Sequence, residues 1–261
     1  MPKPDDELCL LSKALGDLKE FLPHLVLVGG WVPLLYTRFL WKEGFDPLLT
    51  VDIDLGIRNL DYHGQGTIAQ KVHQKRWGEH HVRIGHDTPF VPVVSVGNNV
   101  KADVEFIAGS TFPVELQKSL IGLDIFINRI QFFEVLLEKT TPISFSSLTV
   151  HVPEPAHFVF HKLLTFTQRE DSVKRGKDLY YAYFLLLTSP VSRHLFEDVR
   201  SLILNHRFGN RVIKNIVHDF SDPYSEGPSL ISHIAMTTPI YTLLKDINGD
   251  AFSRISGLVS G

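Results

Sequence analysis

At 261 residues and 44% hydrophobic composition, the chain is long enough for one large domain or two modest ones. A formal charge of −3 and a pI near 6.5 exclude coating of nucleic acid by overall charge and leave room only for a local basic patch. The single cysteine, Cys9, excludes an internal disulfide and a cysteine-based zinc site, and no apolar run is long enough to span a membrane.

Residues 1–6 lack the plan of a signal peptide, so a cytoplasmic protein without membrane contact is expected. In chain order, a helix is expected over 7–20, then a short strand, Leu25-Val26-Leu27-Val28. Gly29-Gly30 ends that strand with residues that tolerate any backbone conformation and let a phosphate approach the main chain. Apolar residues Val32, Leu35, Tyr36, Phe39 and Leu40 give residues 31–41 helical spacing, with Pro33 in the tolerated first turn. Strand, glycine turn and helix N-terminus make an anion site in principle; packing alone explains many such turns.

The strand expected over 50–58 carries Val51-Asp52-Ile53-Asp54-Leu55, and period two puts both aspartates on one face, roughly 7 Å apart. Two like charges at that spacing call for a divalent cation: Mg²⁺ takes carboxylate and phosphate oxygens at about 2.1 Å. Residues 59–66 read as a flexible connection and 67–77 as a helix, followed by strands over 80–85, 91–96 and 100–108. In the last of these Asp103 and Glu105 share a face, and Glu105 is preferred as a third acid, with Asp103 in reserve. Further strands are expected over 123–130 and 147–152, and Pro153-Glu154-Pro155 marks a break before helices over 156–168 and from Ser172 onward. The result is an α+β class, with a mixed β-sheet and flanking helices in a domain over 1–152 and a helical domain over 153–261.

These residues carry a resemblance. Gly29-Gly30, Thr50-x-Asp52-x-Asp54-Leu55 and Val104-Glu105-Phe106-Ile107 resemble the nucleotidyltransferase superfamily with its DNA polymerase beta-like palm. His161-Lys162-Leu163-Leu164, Arg169 and Gly176-Lys177-Asp178-Leu179 extend the resemblance, over residues 25–190, towards bacterial AbiEii-type toxins. It implies a nucleotidyltransferase palm in which Gly29, Gly30 and Thr50 hold an NTP. Asp52, Asp54 and Glu105 would be the catalytic carboxylates and the ligands of Mg²⁺ or Mn²⁺. Lys162 and Arg169 would contact phosphate, and Lys177 and Asp178 would brace the nucleotide site. Four departures stand out: residues 31–51 make a long gap before Asp52, Gly30 replaces a serine, no arginine precedes Thr50, and Glu105 stands where aspartate is commoner.

The expected reaction is Mg²⁺-dependent transfer of a nucleoside monophosphate from an NTP, ATP among them, to an acceptor. Three readings of the acceptor compete: tRNA, as for a toxin of a toxin-antitoxin pair; a small aminoglycoside-type molecule; or none, in a silent nucleotide-binding or interaction module of the same fold. The histidines of 78–86 read as loop and strand-surface residues, because no His-Glu-x-x-His pattern supports zinc. The aromatic run at Tyr180 to Phe184 reads as helix core, and 191–261 as short packing helices. Oligomeric state has no signature in the sequence.

Overall fold

Period-two burial builds the sheet in the first half of the chain. In the ten-residue strand Val100–Gly109, Ala102, Val104 and Phe106 are buried, while Asp103 and Glu105 alternate with them on the other, half-open face. The protein is described by a computed structural model covering residues 4–43, 45–58, 60–85, 87–97, 100–242 and 244–260. The chain divides into two compact units, Met1–Val32 with Thr50–Pro153, and Pro33–Leu49 with Glu154–Gly261.

In the first unit the strands are β1 (Leu25–Val28), β2 (Ile53–Ile57), β3 (Gly78–His81), β4 (Phe90–Val96), β5 (Val100–Gly109) and β6 (Ile127–Ile130), in the order β1-β2-β5-β4-β3, with β6 also beside β5. The β2–β5 and β5–β6 pairs are parallel, and the other pairs antiparallel, which makes the sheet mixed as expected. Helix α1 (Pro4–Asp17) covers β4 and β5 with Leu10, Leu11, Ala14 and Leu15. Helix α2 (Ile68–Gln74) starts at Thr67, whose side chain accepts from the Gln70 amide while Gln70 reaches back to the Thr67 amide. Asn59 and His86, within the expected connection and histidine-rich segment, lie outside the described residues.

Several bounds differ from the sequence expectation for local reasons. The strand expected over 80–85 is β3, at 78–81, and that expected over 123–130 is reduced to β6, preceded by an isolated bridge at Ile125. A strand pair, β7 (Thr140–Phe145) and β8 (Leu148–Pro153), forms an antiparallel hairpin of which only the second half was expected. Its turn is Ser146-Ser147, both with positive φ (48° and 65°), where glycine or asparagine would have announced a tight hairpin.

The second unit includes residues 33–49, most of the long gap between the glycine turn and Asp52. The helix expected over 31–41 is instead a 3-10 turn (Gly29–Trp31), one α-turn (Val32–Leu35) and a π-helical stretch (Tyr36–Trp41) that ends at Lys42 with φ 59°. The Thr37 hydroxyl contributes to the widening by donating to the Pro33 and Leu34 carbonyls at 3.2 and 3.1 Å. The Arg38 fork binds Asp46 at 2.8 and 2.6 Å, Tyr36 packs edge-on to Phe158, and the Tyr181 hydroxyl donates to the Leu48 carbonyl at 3.1 Å. The unit continues with α3 (Pro155–Thr165), α4 (Ser172–Thr188), α5 (Ser192–Asn205), α6 (Gly209–Asp219), α7 (Glu226–Ala235) and α8 (Ile247–Gly257). Helix α3 is buried all round from Phe158 to Thr165, more than the broad stripe its apolar positions suggested. In α4, Tyr180, Tyr181, Tyr183 and Phe184 are all buried.

Candidate functional site

Antiparallel register places Val28 of β1 beside Asp54 of β2, so the chain leaves β1 at Gly29 next to the Asp54 side chain. Gly29 has φ +71°, a left-handed conformation that glycine adopts without strain. It also has no room for a side chain: a methyl there would overlap Asp54 Oδ2 and lie 2.7 Å from its Cγ. The Asp54 carboxylate therefore rests directly on the glycine turn.

Across the other edge of β2, parallel register pairs Asp54 with Glu105. The two half-buried carboxylates share one face of the sheet on neighbouring strands. Asp103 lies two residues earlier on that face, pairs with Val93 of β4, and is 3.5 Å from His80 Nδ1. Asp52 is exposed in a bend one residue before β2, outside the strand expected to hold it, and Thr50 is half-buried ahead of it. Gly30 and Trp31 are buried at the base of the turn. The structure thus brings Gly29, Asp54 and Glu105 side by side.

Among the described residues, no group of three or more His, Cys, Asp or Glu side chains is arranged to hold a metal ion. The carboxylates nearest the glycine turn are Asp54 and Glu105, paired in register, with Asp52 just ahead of β2 in sequence. Mg²⁺ is commonly held by one or two carboxylates, with substrate phosphates and water completing its shell, rather than by an all-protein cage.

The second unit has its own charged centre. Asp178 of α4 is buried and accepts from Lys162 Nζ of α3 through Oδ1 and from Arg169 Nε through Oδ2, the latter at 3.0 Å. Burial alone would raise the Asp178 pKa, but the charges of Lys162 and Arg169 outweigh it and hold the carboxyl below its ordinary range. The Lys162 ammonium also lies over the rings of Phe158 and Tyr181, at 5.5 and 5.8 Å. Arg169 is nearly half exposed, and Lys177 has no ion-pair partner among the described residues. The neighbouring His161 is buried, and neither of its ring nitrogens has a hydrogen-bond partner among the described residues, a state its sequence context does not announce. Burial first, then the Lys162 charge, pushes its pKa down to about 3. The available signal, its place inside an otherwise apolar helix, bears on burial alone.

Residues 9–200 match the nucleotidyltransferase family, and the chain belongs to that family. The family carries a general role in nucleotidyl transfer. A solved structure, that of an antigenic nucleotidyltransferase-like protein from Paracoccidioides brasiliensis, is similar at 15% identity and a TM-score of 0.44, over 80% of this chain and 93% of that one. No curated protein matches the chain. None of the helices of the described residues is long and apolar enough to cross a membrane.

Proposed function

We propose that the chain transfers a nucleoside monophosphate from an NTP to an acceptor hydroxyl or phosphate. The observation that carries this reading is the Asp54 carboxylate seated on the Gly29 turn with Glu105 in register beside it. A turn without a side chain admits phosphate oxygens against its main chain, and adjacent carboxylates meet the needs of the cation that travels with a nucleotide. Mg²⁺ or Mn²⁺, held by Asp54 and Glu105 with Asp52, would neutralise charge developing on the phosphates. The chain's own part is to orient the α-phosphorus and to accept the acceptor's proton on a carboxylate, for which Glu105 is the candidate. A new acceptor–phosphorus bond forms as the bond to pyrophosphate breaks.

The acceptor placed first is an RNA end, tRNA in an AbiEii-like toxin role, and the second is an aminoglycoside-type small molecule. Incubation with each labelled NTP and Mg²⁺, against total RNA and against small metabolites, tests the reaction and names nucleotide and acceptor together. Asp54→Asn should abolish label transfer and pyrophosphate release while the protein stays folded. Unchanged turnover in that variant removes the mechanism, and nucleotide binding without pyrophosphate release would make the chain a silent module.

A further inference from the structure

The helical unit carries a cavity of about 410 Å³, within the range of small-ligand sites. Its walls come from Leu186 of α4, from Ser192, Arg193, Phe196, Glu197 and Arg200 of α5, and from Arg254 of α8, so one carboxylate lines it beside three arginines. On α5 Arg193, Phe196 and Arg200 follow i, i+3, i+7, so they form one helix face, while Leu195, Val199 and Ile203 face the core. Its floor is apolar, and of its three arginines Arg193 is exposed while Arg200 and Arg254 are partly buried.

Two of the three arginines have acidic partners. Arg193 Nε donates to Glu197 Oε1 at 3.0 Å, and Arg254 Nε to Asp250 Oδ2 at 2.8 Å, an oxygen that also accepts from the Tyr183 hydroxyl at 2.7 Å. Arg200 is partly buried in the cavity wall and has no hydrogen-bond or ion-pair partner among the described residues. A half-buried guanidinium without an acidic partner is matched best by a phosphate, whose oxygens fit its fork. Phe196 offers the planar apolar surface on which a base stacks.

We propose that this cavity binds a nucleoside monophosphate unit, with its phosphate on Arg200 and its base against Phe196 and Leu186. The same chemistry is presented by a free mononucleotide and by a nucleotide within single-stranded RNA. None of its lining residues is a carboxylate of the sheet, and it does not depend on the reaction assigned to them.

Calorimetric titration of the full chain in low salt with EDTA, using AMP, inorganic phosphate and a four-nucleotide oligoadenylate RNA, tests it. Arg200→Ala should weaken AMP binding at least about tenfold. Arg200→Lys should weaken it less, and Phe196→Ala should weaken AMP while leaving inorganic phosphate unchanged. Asp54→Asn should bind AMP as the wild type does, so failure of the catalytic reading leaves this site standing. Tetranucleotide binding tighter than AMP, and lost in Arg200→Ala, assigns the site to RNA; binding no tighter than AMP assigns it to the free nucleotide. An Arg200→Ala protein that melts like the wild type and binds AMP equally well overturns the proposal, as does a wild type that binds neither AMP nor the RNA. Should Arg200→Ala fail to fold, the Phe196→Ala and Arg200→Lys titrations decide, and wild-type affinity for AMP in both overturns it equally.

Discussion

Replacing Gly29 by alanine tests the geometry on which the functional reading rests. The backbone there is left-handed, φ +71°, which costs an L-residue about 1–2 kcal/mol. The new methyl would overlap Asp54 Oδ2 and lie 2.7 Å from Cγ, so the carboxylate must turn away, a local overpacking that adds about 1–3 kcal/mol. Gly29→Ala should therefore lose about 2–5 kcal/mol in urea unfolding. Gly85 supplies the control, because its φ is +61° and nothing lies within 4 Å of an added Cβ; Gly85→Ala should lose the backbone part alone, about 1–2 kcal/mol. In an Asp54→Ala background the Gly29 substitution should approach the Gly85 value, since the displaced atoms are gone. Pyrophosphate release should fall about a hundredfold in Gly29→Ala, as expected for a catalytic group moved by about an ångström. If Gly29→Ala and Gly85→Ala prove equally destabilising, and turnover is unchanged, Asp54 does not rest on the turn and the reasoning fails.

Three further outcomes follow from the helical unit. Asp178→Leu leaves the buried Lys162 ammonium without its carboxylate and should lose about 3–5 kcal/mol in urea unfolding, while Lys162→Met with Asp178→Leu should recover most of it. His161, with a folded pKa of about 3 against about 6.5 when unfolded, takes up its proton preferentially in the unfolded chain. Its stabilising contribution is full above pH 6.5 and declines as pH falls towards 3, by up to about 1.4 kcal/mol per pH unit. Unfolding free energies of His161→Phe measured from pH 4 to 7 should show a correspondingly flatter slope, and parallel curves would refute the assignment. Tyr181→Phe removes the donor to the Leu48 carbonyl and should cost about 1 kcal/mol, read as faster proteolysis near that loop.

What the sequence revealed and what it hid divide along physical lines. The alternation of Ala102, Val104 and Phe106 with Asp103 and Glu105 is a local pattern, and β5 is built as that pattern dictates. The nearness of Gly29, Asp54 and Glu105 is a property of pairing, and no single segment encodes which residue of one strand faces which of another. Strand β7 was hidden because its turn uses Ser146-Ser147 at positive φ, without the residues that mark such turns. The state of Lys162 was hidden for a related reason. Its partner Asp178 belongs to the next helix, and only packing of α3 on α4 shows that the ammonium is already engaged by a carboxylate.

The detour through residues 33–49 has a practical corollary for anyone dissecting or recombining this protein. The chain crosses between its two units after Val32, after Leu49 and after Pro153, so a single cut cannot release the sheet-bearing unit. A fragment ending at Pro153 would keep Tyr36 and Leu48 while losing Phe158 and Tyr181, the groups that cover or bond them. Such a fragment would expose apolar surface and self-associate. A well-behaved excised unit requires bridging Val32 to Thr50 with a short linker, and the same splice would let the detour be transplanted together with its helices as a module.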